Sequence, residues 1–305
     1  MTHLDTHLDT HLDTTVGSDA SQALPMVRKI GMTDLKDALA KGIEDFWAIP
    51  THVIFLSIIY PVVALVLAQL TLNDLLQLFF PLAAGFALIG PVAGIGLYEL
   101  SRRRELGLDL SWTHAFGVRH SASIGGILAL GVLLTAIFLL WVAVSQAIYI
   151  ANFGYAPAGS IPNFLRQVFT TPAGWTLIVV GNGVGFLFAV LVLMISVVSF
   201  PLLLDRDVGV AVAILTSVRV VLRNPVTMAM WGLIIAGLLL IGSLPLFIGL
   251  VVVMPVLGHS TWHLYRKVVV PDINPRQEQP APPKSGRRRY AAQFPAALFA
   301  DEDQP

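Results

Sequence analysis

The chain has 305 residues, of which 55% are hydrophobic and only 12% are charged, and its mean hydropathy is +0.75. Soluble domains carry about 25% charged residues, so this composition excludes a soluble protein and indicates an integral membrane protein. The net charge of zero argues against a nucleic-acid partner, and the lack of cysteine excludes disulfides, thiolate catalysis and cysteine-based metal sites.

The first segment, residues 1–26, repeats Thr-His-Leu-Asp three times between Thr2 and Asp13. A signal peptide has a basic start followed by an apolar stretch of about 7 to 15 residues, and this segment has neither. We therefore predict a disordered, His- and Asp-rich N-terminal tail.

Long uncharged stretches follow, and a transmembrane helix needs about 20 apolar residues. The last stretch, between Arg223 and Arg266, is too long for one helix and contains the turn signal Gly242–Pro245. We predict a six-span membrane domain over residues 27–270, with the spans His52–Leu70, Leu76–Tyr98, Ile124–Ile148, Ala173–Leu203, Val226–Ile241 and Leu246–Tyr265.

Lysine and arginine decide the orientation, because these residues concentrate in cytoplasmic loops. With six spans and a cytoplasmic N-terminus, every one of the 19 basic residues except Arg166 lies inside. Five spans would put the basic C-terminal residues on the other side. The sequence therefore favours six spans in a bacterial inner membrane, with both termini in the cytoplasm.

Short amphipathic helices are predicted in the cytoplasmic loops. In the first, Leu35, Leu39, Ile43 and Phe46 share one face, and Thr33 can cap its start. This helix can lie in the membrane interface or pack as a small cap on the spans. Two similar helices are predicted at Ser111–Arg119 and Val208–Leu222, the latter followed by a capping Asn224 and by Pro225 at the start of the next helix.

These elements suggest three repeats, each an interfacial helix followed by a transmembrane hairpin. The pattern Pro-Val-x-Gly-x-x-x-aromatic-x-Leu-x-Arg begins at Pro91 and again at Pro255. The alternative is that helix ends at an interface reuse proline, aromatic residues and arginine without any repeat.

Three polar motifs resemble a known family. They are Phe46-Trp47-Ala48-Ile49-Pro50-Thr51-His52, Tyr98-Glu99-Leu100-Ser101-Arg102-Arg103-Arg104-Glu105, and Ser199-Phe200-Pro201-Leu202-Leu203-Leu204-Asp205-Arg206. The chain is similar, over roughly residues 27 to 270, to a proteobacterial family of predicted integral membrane proteins with a domain-of-unknown-function label. The resemblance implies the class of protein and no activity, substrate or cofactor.

A polar or metal site is one hypothesis for the cytoplasmic side. His52, Glu99, His259 and His263 share that side in the predicted topology, and His259 and His263 lie one helical turn apart. Such a pair can bind one metal ion, and two histidines from different helices can ligate haem. The alternative is that these histidines are amphipathic interface residues, so whether a metal binds stays open.

Small residues mark a second candidate site. Gly90 and Gly94, and likewise Gly181 and Gly185, form small-xxx-small surfaces that let helices approach closely. Asn182 would lie within the bilayer, either as an interhelical hydrogen-bonding group or as part of a transport site at a broken helix. Proton-coupled carriers usually have an ionisable residue deep in a span, and this chain has none.

No catalytic motif is present, so we expect neither enzymatic activity nor a cofactor. The C-terminal tail, residues 271–305, is rich in proline and basic residues and is predicted to be disordered. The sequence favours an all-α accessory or scaffold protein that packs against other membrane proteins or a homo-oligomer within the lipid bilayer. The alternatives are a small-solute transporter or channel, and a haem- or metal-binding protein.

Overall fold

The computed structural model describes residues 24–49, 76–110, 123–155, 159–245 and 247–271, together with four single helical positions in the predicted first span. The described residues form helices and no strand longer than one bridge, so the all-α class is confirmed for them. The helices are α1 (Met32–Ala48), α2 (Phe79–Ala93), α3 (Ile95–Glu105), α4 (Ile124–Phe153), α5 (Ile161–Thr170), α6 (Pro172–Ser196), α7 (Ser199–Asp205), α8 (Val210–Arg223), α9 (Pro225–Ser243) and α10 (Leu250–Val268).

Several predictions lie outside the described residues. They concern most of the two tails, nearly all of the first span including His52, and the amphipathic helix at Ser111–Arg119. Helix α5 is an addition that the sequence did not predict.

Three helices in the described part of the chain are long and apolar enough to cross a membrane: α4, α6 with its continuation α7, and α9. The predicted second span is divided, because α2 ends at Ala93 and α3 starts at Ile95. Pro91 lies in the last turn of α2, where its missing N–H removes a helical hydrogen bond. The six-span count and the threefold repeat therefore stay predictions.

Helix α1 packs along α10. Ile43 is 41% exposed, whereas the buried stripe consists of Leu35, Ala38, Gly42, Asp45 and Phe46. The predicted face contained Ile43, whereas the observed buried face contains Gly42. Gly42 lies directly against the backbone of Ser260, where a larger side chain would not fit. This arrangement agrees with the cap alternative. The cap residue at its start is Gly31, not Thr33, and Asp34 accepts a hydrogen bond from the Gly31 N–H.

An extended segment before α1 is attached to the end of α10 and to the start of α9. Val27 forms an antiparallel bridge with Val269. The Asn224 side chain accepts a hydrogen bond from Ile30 N at 2.9 Å and donates one to Arg28 O at 3.1 Å. The prediction that Asn224 caps α9 was therefore wrong in its chemistry: its side chain serves this segment, while Pro225 does begin α9 as expected.

Helix α6 gives way to α7 at Val197 and Val198. Ser199 contributes to the seam with α8, because its hydroxyl oxygen lies 3.1 Å from the carbonyl oxygen of Ala213. All but the last residue of α7 are buried in protein, so the end of the predicted fourth span faces the interior and not lipid. We call the part of the bundle formed by α1, α3, α7 and His259–Val268 the polar end.

Candidate functional site

The polar end is centred on the carboxylate of Asp45 in α1. Asp45 occupies the buried stripe of α1, three residues after Gly42, and only 2% of its surface is exposed. Its Oδ2 accepts hydrogen bonds from Ser101 Oγ at 2.5 Å and from His263 Nε2 at 2.9 Å. Its Oδ1 accepts from Arg104 Nη1. One carboxylate therefore joins α1 to α3 and to α10.

His259 extends this group of side chains. Its Nδ1 lies 2.7 Å from Ser101 Oγ. Because the serine hydroxyl donates its proton to Asp45, its oxygen accepts from His259, which assigns the proton of the imidazole to Nδ1. The other ring nitrogen of His259, Nε2, is fully buried. We call Asp45, Ser101, Arg104, His259 and His263 the Asp45 cluster.

The charge of Asp45 is stabilised despite its burial. Desolvation by burial on its own would raise the pKa of this carboxyl group, but the hydrogen bonds from His263 and Ser101 outweigh it and hold the pKa below the usual value. Asp45 is therefore ionised at neutral pH and pairs with the Arg104 guanidinium. The carboxylate is buried whereas the Arg104 side chain is 37% exposed, so it is the loss of Arg104 that would leave a buried charge uncompensated.

A second set of polar contacts surrounds the Asp45 cluster. Glu105 accepts hydrogen bonds from Trp262 Nε1 and Arg266 Nε, each at 3.0 Å. Asp205 at the end of α7 accepts from the Tyr265 hydroxyl at 2.6 Å. Acidic side chains from α1, α3 and α7 thus all bind the last turns of α10.

Of the predicted polar-site residues, His52 lies outside the described part of the chain, and among the other three the structure brings His259 and His263 together but not Glu99. His259 and His263 both adjoin Asp45. Glu99 turns away to pair with Arg102 at 2.8 Å and with Arg103 at 3.6 Å. Across the described ranges, no three His, Asp or Glu side chains are arranged to hold a metal ion.

Sequence reasoning missed Asp45, Ser101 and Arg104. For Asp45, the position of the residue on the helical wheel of α1 could have indicated its burial. It shares the stripe of Leu35, Ala38 and Gly42, and a carboxylate among small and apolar residues indicates a buried, partnered charge. Ser101 and Arg104 carried no comparable signal, because their partners lie 56 and 59 residues away.

The predicted small residues behave in two ways. A Cβ at Gly185 would lie 2.9 Å from the Trp141 ring of α4, so Gly185 allows close packing inside the chain, whereas a Cβ at Gly90 would only touch the end of Met254 at 4.0 Å. Gly94 occupies the junction of α2 and α3 beside the Tyr98 ring. Gly181, by contrast, has nothing within 4 Å of where a Cβ would be.

Asn182 lies on an exposed face of α6. Its Nδ2 donates to the Ile178 carbonyl one turn earlier, at 2.7 Å, and this is its sole side-chain hydrogen bond within the described residues. Helix α6 is unbroken from Pro172 to Ser196, so the helix break that the transport hypothesis requires at these glycines is not observed. Asn182 also borders a cavity of about 550 Å³ between α4, α5 and α6, which Gln77 and Tyr149 line as well.

Comparison with known proteins supports the membrane assignment. Residues 79–205, from α2 to α7, match the model of a family described as predicted integral membrane protein (DUF2189), a domain of unknown function. This confirms the family resemblance for that segment, within the wider range over which the motifs suggested it. Neither the curated proteins nor the solved structures contain a match to the chain.

Proposed function

We propose that this integral membrane protein is a non-enzymatic component of a bacterial inner membrane that assembles through helix–helix contacts, with a second copy of itself as the partner. The observation that carries the proposal is the exposed amide of Asn182 in α6. A polar side chain facing lipid is unfavourable unless another helix supplies a partner. Ten residues separate Asn182 from Pro172, so at 1.5 Å per residue it lies about 15 Å along the helix, near mid-bilayer.

An amide is suited to pairing with its own copy. The Asn182 amide retains one N–H and its carbonyl oxygen after its bond to Ile178. Across a twofold axis, each copy can donate this N–H to the carbonyl oxygen of the other. A twofold interface is self-complementary in this way, and most soluble homo-oligomers use such symmetry.

The surface around Asn182 favours close approach of a second helix. Val179 is 67% exposed, and Gly183 has nothing within 4 Å of where a Cβ would be. Thr176 lies on the same face two turns before Gly183 and satisfies its hydroxyl on the Pro172 carbonyl. Small residues beside a polar one are the usual composition of packed transmembrane helices.

The polar end supports a structural role. The carboxylates of Asp45, Glu105 and Asp205 all accept hydrogen bonds from side chains of other helices. Groups satisfied in this way hold helices together and are poorly placed to activate a substrate. The enzyme hypothesis therefore gains no support from the geometry of this part of the chain.

Single cysteines test the assembly, because the chain has none of its own. In membrane vesicles, Val179→Cys is expected to form an intermolecular disulfide on mild oxidation. The matched control is Leu240→Cys on α9, which is 65% exposed, and it is expected to stay monomeric.

Asn182→Leu in the Val179→Cys background is then expected to lower the cross-linked fraction. Two symmetry-related contacts of roughly 0.6 kcal/mol each correspond to nearly tenfold weaker association. Equal cross-linking at positions 179 and 240, or no effect of Asn182→Leu, would contradict the proposal.

A small-solute transporter or channel is the second candidate, because one observation favours it. Gln77 lines the 550 Å³ cavity beside Asn182, and its side-chain carbonyl is buried with no hydrogen-bond partner within the described residues. Rotation of this side chain into the cavity would let a solute with a hydrogen-bond donor satisfy it. If this candidate is right, Gln77→Leu abolishes solute uptake into vesicles and leaves cross-linking at Val179→Cys unchanged.

The haem- or metal-binding alternative has less support. Its central residue, His259, is fully buried, and His263 is engaged by Asp45. An absorption spectrum and metal analysis of the detergent-purified protein test it directly, since one chromophore or metal ion per chain would move the histidines to the centre of the function.

The topology is tested with the same cysteine-free chain. Cysteines are placed singly in the two tails. In right-side-out vesicles, each is expected to react with a membrane-impermeant maleimide only after the vesicles are permeabilised, because the cytoplasmic face is enclosed. Reaction of one tail from the opposite side would exclude an even number of spans.

A further inference from the structure

Helix α8 exposes apolar side chains on the side that does not pack against the protein. Its buried side, which contacts α6 and α7, consists of four residues: Ala213, Thr216, Ser217 and Val220. On the opposite side Leu215 is 51% exposed and Leu222 is 66% exposed. A helix on the surface of a water-soluble protein is polar on its outer side. The outer side of α8 therefore faces surroundings less polar than water.

The end of α8 is fixed next to the start of a candidate membrane span. Asn224 is the sole residue between Arg223, where α8 ends, and Pro225, where α9 begins. Val226, in the first turn of α9, is 71% exposed, as is expected of a helix surrounded by lipid. Leu222 lies four residues before it, so exposed apolar side chains continue from α9 onto the last turn of α8. Bilayer lipid is consequently the partner within direct reach of this side of α8.

Basic side chains border the exposed side of α8. Arg219 and Arg223 lie one helical turn apart, and both are exposed. Neither forms an ion pair with a residue in the described ranges, and α8 itself contains no Asp or Glu. Arg28 is exposed as well, and its carbonyl oxygen accepts a hydrogen bond from the Asn224 side chain, which holds Arg28 beside the end of α8. The surface is therefore positively charged, and a negatively charged partner fits it.

We propose that α8 lies in the membrane interface and that Arg219 and Arg223 bind the phosphate of an anionic phospholipid there. Leu215 and Leu222 then face the hydrocarbon. A basic helix with one apolar side has the composition of helices that lie in the interface. An arginine guanidinium can donate two parallel hydrogen bonds to the oxygens of one phosphate, which suits it to this role.

The net charge of the headgroup selects the lipid. Phosphatidylglycerol is negatively charged, whereas phosphatidylethanolamine carries an ammonium group that offsets its phosphate and is repelled by the arginines. Basic residues near an anionic surface each strengthen the attraction, so phosphatidylglycerol is expected to bind more tightly. The proposal does not rest on assembly through Asn182, which lies in the middle of α6.

A lipid titration of the full chain in detergent, followed by native mass spectrometry, tests the site with phosphatidylglycerol and phosphatidylethanolamine as probes. The wild type is expected to prefer phosphatidylglycerol. The double variant Arg219→Gln/Arg223→Gln should bind it about thirtyfold more weakly, at about 1 kcal/mol for each charge. It should also lose the preference over phosphatidylethanolamine.

The matched control is the double variant Lys41→Gln/Lys267→Gln, which removes the same number of positive charges from α1 and α10. Both lysines already pair with Asp37, Lys41 at 3.4 Å and Lys267 at 2.7 Å. Because their charges are compensated within the protein, the control should bind phosphatidylglycerol with the affinity of the wild type.

The depth of α8 in the bilayer is measured independently, because single cysteines can be labelled in a chain that has none. A fluorophore on Leu222→Cys in lipid nanodiscs is expected to be quenched by phospholipids brominated along the acyl chain. The same fluorophore on Lys41→Cys should not be quenched, since Lys41 is an exposed, ion-paired residue of α1.

Three outcomes would overturn the proposal: equal affinity of the wild type for the two phospholipids, equal loss of phosphatidylglycerol binding in the two double variants, or a label at position 222 that brominated lipid does not quench. The last outcome would indicate a protein partner on α8 in place of lipid. Failure of cross-linking at Val179→Cys would leave these results unaffected, so the two proposals are tested separately.

Discussion

Asp45 Oδ2 accepts a hydrogen bond of 2.9 Å from His263 Nε2, joining α1 to the last turns of α10 across 218 residues of sequence. Arg104 reaches the other oxygen of the same carboxylate from α3. Three helices from distant parts of the chain therefore share one buried charge. Ser101 and His263 bond to one oxygen of this carboxylate and Arg104 to the other, while His259 is linked to it through Ser101.

Asp45→Asn should reveal how much this junction stabilises the protein. The substitution keeps the shape of the side chain and removes the charge that compensates Arg104. The hydrogen bonds from Ser101 and His263 then reach a neutral acceptor, and a loss of about 2 kcal/mol in the free energy of unfolding is expected, although Arg104 keeps access to water. The midpoint of thermal unfolding in detergent measures it.

Asp37→Asn is the matched control for this measurement. Asp37 pairs with Lys267 at 2.7 Å near the same helix pair, but its side chain is 43% exposed. An exposed ion pair contributes at most about 1 kcal/mol. If both variants lose the same free energy of unfolding, the contacts of Asp45 contribute no more to stability than an exposed ion pair does.

The stability of the protein is expected to depend on pH through the same carboxylate. The pKa of Asp45 is lowered in the folded state, because the bonds from His263 and Ser101 outweigh the effect of burial, which alone would raise the pKa. Its contribution is therefore fully present above the usual pKa of about 3.9 and is lost as pH falls through the lower folded value. The unfolding midpoint of the wild type should drop below about pH 4, more steeply than that of Asp45→Asn.

The membrane helices could be predicted because their signal is local. Uninterrupted apolar sequence located α4, α6 and α9 to within a few residues, and Thr171 caps α6 through the Gly174 N–H as a Thr-Pro start implies. Backbone N–H and C=O groups in a bilayer must find their hydrogen bonds within the span, which makes the span helical. Length and hydropathy therefore suffice to locate such a helix in the sequence.

The contacts of the polar end could not be predicted, because they depend on which helices meet. Asn224 looks like an N-cap from sequence, yet its amide binds backbone groups 194 and 196 residues away. Glu99 and His259 were predicted to share a side of the membrane. A shared side does not decide which residue lies next to Asp45, and in the structure it is His259. A one-residue rotation of α1 decides whether Gly42 or Ile43 faces α10, and hydropathy favoured Ile43.

Gly42→Ala tests the close contact between α1 and α10. A Cβ at Gly42 would lie 2.8 Å from the Cα of Ser260, so the helices must separate to accept one methyl group. Overpacking of this kind costs about 1 to 3 kcal/mol, although alanine itself favours helix. Gly237→Ala in α9 adds the same methyl group where no atom lies within 4 Å and should leave stability unchanged or raised. A neutral Gly42→Ala would mean that α1 does not pack this closely on α10.

Asn224→Ala tests the attachment of the extended segment before α1. The substitution leaves the Ile30 N–H and the Arg28 carbonyl without their acceptor and donor, at a site where Asn224 is 5% exposed. The attachment of the segment is expected to weaken by about 1 to 3 kcal/mol. Hydrogen exchange of the Ile30 amide should be correspondingly faster and measures this loss. Asn152→Ala is the control, because its side chain bonds only the Ile148 carbonyl of its own helix within the described residues. If Ile30 exchanges equally slowly in both variants, the bridge between Val27 and Val269 suffices to hold the segment, and the Asn224 contacts add little to it.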